Sequence, residues 1–405
     1  MHSFDTLWDA LTPVGRDANT GGYRRFAYSA AELECREWFV GAAAALGLDV
    51  QNDRNGNLWA WWNPAGVRGK AVVIGSHLDS VPDGGAFDGP LGVVSSLAAV
   101  QALQHKGFSP NRPVAVACFA DEEGARFGIA CAGSRLLTGQ LAPGKARALV
   151  GRDGTTMNDA MRAAGVDPDR LGRDDELLAQ IGTYVELHVE QGRYLVDAGA
   201  PVGVATAIWP HGRYRYTFCG TADHAGTTRM EDRHDPMLTY ARTAIAAEAA
   251  AQRLDSRATF GRLEVEPNGT NAIPSVVRAW LDARAADAAA LQELLADVRA
   301  AASADAGARG IQVDIVAESE SPVVEFDADL RERVRSSISG GGEVPILPTG
   351  AGHDAGILAG AGIPSAMLFV RNPTGVSHSP EEFAERDDCH AGVEALIAVV
   401  EDLAS

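Results

Sequence analysis

The chain has 405 residues, more than one hydrophobic core usually serves, so two domains are expected. Apolar residues make up 46% and charged residues 22%, with no long polar or repetitive run, which excludes a disordered chain. A formal charge of −19 opposes phosphate backbones and anionic lipid alike, so nucleic acid and membrane surfaces are excluded as partners.

The first residues, MHSFDTLWDALTPVG, carry no basic segment followed by an apolar stretch, and no later window approaches the length of a membrane span. The expected location is the cytoplasm. Ser29 and Glu32 form an S-x-x-E capping box, and the Ala-rich amphipathic stretch behind them predicts a helix over 29–48. Two short apolar runs, 71–74 and 113–119, have the pattern of strands buried on both faces, and a helix over 91–104 between them completes a β-α-β alternation. Open α/β sheets bind ligands at the carboxyl ends of their strands, and here those ends read Ser76-His77-Leu78-Asp79 and Asp121-Glu122-Glu123.

From about residue 213 the texture changes. Strand 214–219, helix 235–254, strands 258–265 and 276–284, helix 286–302 and strand 311–317 spell β-α-β-β-α-β, the split βαβ arrangement of a ferredoxin-like domain. The expected organisation is therefore α/β with two domains, 211–320 being inserted between 1–210 and 321–405. The chain then returns to the first domain with a helix over 356–361, a strand over 367–370 and a polar loop over 371–382. The five cysteines, Cys35, Cys118, Cys131, Cys219 and Cys389, are odd in number and never form a C-x-x-C pair, so neither a disulfide framework nor a zinc knuckle is expected.

His77, Asp79, Asp88, Glu122, Glu123, His188 and His378 all stand beside strand ends or Gly-rich turns. Each alone reads most simply as a hydrogen-bonded structural residue. Together, imidazoles and carboxylates are the mixed donor set used by Zn²⁺, Mn²⁺, Co²⁺ or Ni²⁺, and a carboxylate such as Asp88 suits a bridge between two ions. Asp79, two residues beyond His77 and on the same face of extended chain, is expected to orient an imidazole. Glu122 and Glu123 are adjacent and point to opposite sides, so one of them is expected to bind metal and the other to act as general base.

Seven segments, GSHLDSVPDGGAFDGPLG, ADEEGARFG, ELHVEQG, TADHAGTTRM, NGTNAIPSVVRAWLDAR, GAGHDAG and VSHSPEEF, resemble in order and spacing the hydantoinase/carbamoylase amidases. That family includes N-carbamoyl-L-amino acid hydrolases, β-ureidopropionases and allantoate amidohydrolases, within the wider superfamily of aminoacylases and carboxypeptidase G. The resemblance implies an α/β/α metallopeptidase-like catalytic domain, with the insert serving as a lid and homodimerisation domain. It implies that His77, Asp88 and His188 hold one divalent ion and Asp88, Glu123 and His378 the other, with Glu122 as general base. His224 would stabilise the oxyanion, reaching across a dimer. Asn271 and Arg284 would clamp a substrate carboxylate, and Gln191 and His353 would hold the ureido group. His353 also reads as a cap for the helix after it.

The implied reaction is attack by a metal-bridging hydroxide on the ureido carbonyl of an N-carbamoyl-L-amino acid. Allantoate is the nearest rival substrate, followed by an N-acyl amino acid or dipeptide; the rival of another class is an inactive dimer that binds amino-acid derivatives. The sequence departs from the family at Trp209, His211 and Arg229, expected to reshape the substrate pocket.

Overall fold

The computed structural model describes residues 3–340 and 342–405, in two units: Met1–Thr206 with Glu325–Ser405, and Ala207–Val324. The first unit opens with strands β1 (Asp49–Asn52), β2 (Leu58–Trp62), β3 (Ala71–His77), β4 (Val114–Phe119), β5 (Ile181–Val189) and β6 (Val202–Ile208). The second contains β7 (His211–Cys219), β8 (Asp223–His224), β9 (Arg257–Glu266), β10 (Ala272–Ile273), β11 (Val276–Arg284) and β12 (Gln312–Ser321). The chain re-enters the first unit through β13 (Val324–Glu325), followed by β14 (Ile346–Thr349) and β15 (Ser365–Val370).

The large sheet has the order β1-β2-β4-β3-β5-β15-β6-β13, with β14 beside β6. Its centre, β4-β3-β5-β15, is parallel, and every residue of β3, β4 and β15 is buried. Continuous apolar runs at 71–74 and 113–119 thus become strands covered on both faces. Between β3 and β4 runs the helix Pro90–His105, with Leu91, Val93, Val94, Leu97, Val100 and Leu103 fully buried against the sheet and the C-terminal helix Arg386–Ala404. Because the four central strands are parallel, their carboxyl ends lie along one edge. His77 ends β3, Asp121-Glu122-Glu123 follows β4, His188 pairs with Phe369 near the ends of β5 and β15, and the loop carrying His378 leaves β15.

Ser29 caps the helix Ala30–Ala45 through the Glu32 N–H, and that helix stops before residue 48 because Leu46 and Gly47 turn back onto the carbonyls of Ala43 and Ala44. The β1–β2 hairpin went unforeseen, although its turn contains Asn55-Gly56, a strong hairpin signal before the apolar run LWAWW.

In the second unit, four antiparallel strands in the order β12-β7-β11-β9 back onto the helices Pro236–Arg253 and Ala288–Arg309. Strict alternation in β7 and β11 puts Tyr214, Tyr216, Phe218, Val277 and Leu281 against those helices and leaves His211, Arg213, Asp282 and Arg284 on the other face. The second helix runs well past 302, because Ala302 and Ala306 are buried and carry it to its stop at Gly310. All five cysteines are free thiols, and among the described residues no helix is long and apolar enough to cross a membrane.

Candidate metal centre

At the carboxyl edge of the parallel strands, Asp88 lies among three imidazoles. Its Oδ1 is 3.4 Å from His77 Nε2 and 3.2 Å from His188 Nε2; its Oδ2 is 3.4 Å from His378 Nε2, which is 3.5 Å from Glu123 Oε2. Two donor groups result, His77–Asp88–His188 and Asp88–Glu123–His378, and Asp88 belongs to both. Atoms bound to one ion at about 2.0–2.2 Å with tetrahedral angles stand about 3.3–3.6 Å apart, so these spacings fit a cation in each group.

The imidazoles are set for the same purpose. His77 Nδ1–H donates to the Asp79 carbonyl at 3.1 Å and His188 Nδ1–H to the Val189 carbonyl at 2.9 Å. Each ring is thereby held with its Nε2 facing Asp88, and both Nε2 atoms are buried without a hydrogen-bond partner. Gly89, at φ +84°, makes this packing possible, since a Cβ there would lie 2.4 Å from the His77 ring.

Charge points the same way. Among the described residues, the ion-pair partners of Asp88, Glu122 and Glu123 are imidazoles, with no Lys or Arg. Burial and the neighbouring Asp88 push Glu123 up to about 8; the Asp88 hydrogen bond raises His378 to about 9 against its burial. Burial lowers the His77 pKa, yet the carboxylates of Glu122, Asp79 and Asp88 hold the ring well above its ordinary value. A buried excess of carboxylate that protonates its own histidines is a setting that divalent cations relieve.

Glu122 is 5% exposed. Its Oε1 accepts from the Cys131 thiol at 3.4 Å, while Oε2 faces the centre 3.7 Å from His77 Nε2. Asp79 corrects the expectation in one respect: its main-chain carbonyl takes the closer contact with His77, and its carboxylate, 3.6 Å from Nδ1, accepts from the backbone N–H of Glu122 and Glu123 at 3.1 Å each. It therefore fixes the turn presenting both glutamates. Gln191 Nε2 donates to Asp88 Oδ2 at 2.8 Å, leaving the buried Oε1 as an acceptor. His353 occupies the N-cap position of the helix Asp354–Gly360 without making a cap bond; it is 2% exposed, both its nitrogens lack partners, and its ring meets His188 edge-on with centroids 4.6 Å apart.

Sequence reasoning missed the supports behind this edge. Glu186, fully buried on β5, accepts from Ser76 Oγ at 2.8 Å and the Ala355 N–H at 2.9 Å, while Asp354 accepts from Ser134 Oγ at 2.5 Å. Glu382 also belongs here. A usable signal existed for Glu186, an acidic residue inside the apolar run Tyr184-Val185-Glu186-Leu187, where an ordinary solvated face would not place it; Asp354 and Glu382, in Gly-rich and polar loop sequence, offered none.

The remaining sequence-predicted residues lie in the second unit. His224 is exposed on β8 opposite Ala272, beside Asn271, whose carbonyl accepts from the Ala225 N–H. The N–H groups of Gly226 and Thr227 donate to His224 Nδ1 at 3.0 and 3.2 Å, so the ring proton sits on Nε2 and makes that atom a donor. Arg284 pairs across the sheet with His211, and Asp282 grips its Nε and Nη2 edge at 2.7 and 3.1 Å. His211 Nδ1–H donates to the Trp209 carbonyl at 3.1 Å, and burial lowers its pKa, leaving Nε2 an acceptor. Arg257 stacks over Trp209, whereas the exposed Arg229 is engaged by Glu231 and Asp232.

A parallel sheet with paired histidine–carboxylate groups at its carboxyl edge, interrupted by a split βαβ insert, defines a metallohydrolase of the α/β class. The sequence profile described as peptidase family M20/M25/M40 matches residues 73–402, and the chain belongs to that family, within its hydantoinase/carbamoylase amidases. It is 36% identical to N-carbamoyl-L-amino acid amidohydrolase of Geobacillus stearothermophilus (99% of this chain, 98% of the relative) and 33% identical to allantoate amidohydrolase of Escherichia coli strain K12 (97% and 96%). The crystal structure of a hydantoinase/carbamoylase family amidase from Burkholderia vietnamiensis is similar with a TM-score of 0.87 and 29% identity, covering 99% of this chain and 97% of that one. The chain is accordingly a hydrolase of carbon–nitrogen bonds in linear amides other than peptides.

Proposed function

We propose that this protein hydrolyses the ureido carbon–nitrogen bond of an N-carbamoyl-L-amino acid, releasing ammonia, carbon dioxide and the amino acid. The observation that carries the reading is a pair of cation-shaped donor groups sharing Asp88, with Glu122 Oε2 turned toward them. Similarity to the Geobacillus stearothermophilus enzyme supports the substrate class, and similarity to the Escherichia coli enzyme supports allantoate as the second reading. Both compounds join a ureido group to a carboxylate.

His77, Asp88 and His188 would hold one divalent ion and Asp88, Glu123 and His378 the other, Zn²⁺ or Mn²⁺ suiting the mixed donors and Co²⁺ or Ni²⁺ remaining compatible. When bound, the ions supply Lewis-acid polarisation of the scissile carbonyl and the attacking water. Glu122 Oε2 takes a proton from that water and returns it to the leaving nitrogen. Gln191 Oε1 accepts from the ureido N–H, and the neutral His353 ring holds the same group. From the inserted unit, Arg284 and Asn271 hold the carboxylate, His211 Nε2 accepts from a substrate donor, and His224 Nε2–H meets the developing oxyanion.

His224→Ala is expected to lower kcat by about 10²–10³-fold with little change in KM, because the donor acts on charge present only in the transition state. The proposal includes a cytoplasmic homodimer in which His224 serves the partner's substrate. An equal mixture of His224→Ala and Glu122→Gln chains, unfolded and refolded together, then regains activity that neither variant has; a mixture as inactive as its components contradicts the shared site. Comparing kcat/KM for N-carbamoyl-L-amino acids with that for allantoate decides the substrate. A higher value for allantoate replaces the first reading with the second.

A further inference from the structure

Glu382 stands in a loop without regular structure, in the charged run Pro380-Glu381-Glu382, yet it is 4% exposed. Its Oε1 accepts from the backbone N–H groups of Phe87 and Asp88, both at 2.9 Å, and its Oε2 accepts from Ser377 Oγ at 2.9 Å. One carboxylate thus ties the turn carrying Asp88 to the loop carrying His378, across 294 residues of sequence. The approach depends on Gly85, where a Cβ would lie 2.3 Å from Glu382 Oε1. Ser377 Oγ also lies 3.2 Å from Asp88 Oδ2, but it has one proton, and the nearer Glu382 oxygen takes it while Gln191 supplies the donor to Asp88.

The two donor groups differ in what holds them. His77 and His188 sit on the interior strands β3 and β5, paired with Phe119 and Phe369 of their neighbours. His378 sits on the irregular loop at φ +56°, a left-handed conformation that a β-carbon disfavours, so its place depends on how the loop is fastened. Ser377 is its chain neighbour, and Glu382 holds Ser377.

We infer that Glu382 is a positioning residue that latches the His378 loop to the Asp88 turn, and so sets the affinity of the Asp88–Glu123–His378 group for its cation more than that of the His77–Asp88–His188 group, which it touches only through the shared Asp88. The inference rests on the metal-dependent reading above.

The test measures metal content without reference to turnover: equilibrium dialysis of the full chain against graded free Mn²⁺ or Zn²⁺, followed by elemental analysis. Wild-type protein should bind two ions. Glu382→Ala should bind one ion at least about 10-fold more weakly, the size of effect typical of an outer partner, and the other more weakly by a clearly smaller factor. Glu382→Gln should recover most of the loss, because its amide oxygen still accepts from both N–H groups and its nitrogen reaches Ser377 Oγ. Glu381→Ala, an exposed position on the same loop, should leave both affinities unchanged. Should Glu382→Ala fail to fold, Ser377→Ala cuts the same link at its other end and should weaken the same ion. Two wild-type affinities in Glu382→Ala, or equal weakening of both, would overturn the latch. Failure of the wild-type chain to bind any divalent ion would instead overturn the metal-dependent reading, and the latch with it.

Discussion

Glu122→Gln is expected to lower kcat by about 10²–10⁴-fold while the protein still binds two ions per chain, the range that positioned proton transfer contributes. Glutamine keeps the size of the side chain, and its carbonyl oxygen can still accept from the Cys131 thiol that now binds Oε1. The main-chain bond from the Cys131 N–H to the Glu122 carbonyl and the Asp79 grip on the Glu122 N–H are untouched by the change. What disappears is a proton acceptor at Oε2, so loss of turnover beside unchanged metal content isolates that role. Retention of more than about a tenth of wild-type kcat would remove Glu122 from the mechanism.

Asp88→Asn has the larger structural consequence. Asp88 is the one side chain common to both donor groups, and its two oxygens face different imidazoles, Oδ1 toward His77 and His188 and Oδ2 toward His378. An amide has one oxygen, so whichever way it turns it presents N–H₂ to one of the groups and carries no charge to either. Both affinities should fall by more than the roughly 10–100-fold typical of an outer partner, and turnover should vanish with them. Burial increases the damage, because three histidines lose the carboxylate that faces them. Metal analysis of the purified variant checks this; two tightly held ions in Asp88→Asn would contradict the shared-ligand geometry. With Glu382→Ala, the substitutions form a graded series: one removes chemistry and keeps both ions, one weakens one ion more than the other, and one removes both.

The central strands were legible because burial on both faces demands continuous apolar runs, and 71–74 and 113–119 have them. β5 was harder to see: Glu186 and His188 break its apolar pattern, and both are buried there by chemistry that local sequence does not express. The insert was read almost element by element, since two-sided alternation in β7 and β11 is a local property. Its second helix ran longer than expected because burial of Ala302 and Ala306 outweighs a weakly patterned sequence.

The candidate ligands were legible by resemblance, because motif order and spacing carry them. The contacts that hold those ligands were legible only in part. Asp79 was legible beside His77, but its grip on the Glu122–Glu123 turn was not, nor were the contacts of Gln191 and Glu382 with residues distant in sequence, because a polar side chain in a loop reads as solvated until tertiary structure buries it. Gln191 shows the difference clearly. It was expected to hold a ureido group, and its nitrogen instead supports Asp88, leaving only the oxygen for substrate.

Metal-dependent hydrolysis of ureido acids by this chain is measured as ammonia release. The protein is stripped by dialysis against a chelator, reloaded with Mn²⁺ or Zn²⁺, and assayed on N-carbamoyl-L-amino acids, N-carbamoyl-β-alanine and allantoate, with amino-acid release from N-acetyl amino acids followed alongside. The stripped protein is expected to be silent, and reloading to restore ammonia release from a ureido acid in preference to hydrolysis of the N-acetyl compounds. Undiminished release by the stripped protein, or a reloaded protein silent on every ureido acid, would contradict metal-dependent hydrolysis of ureido acids.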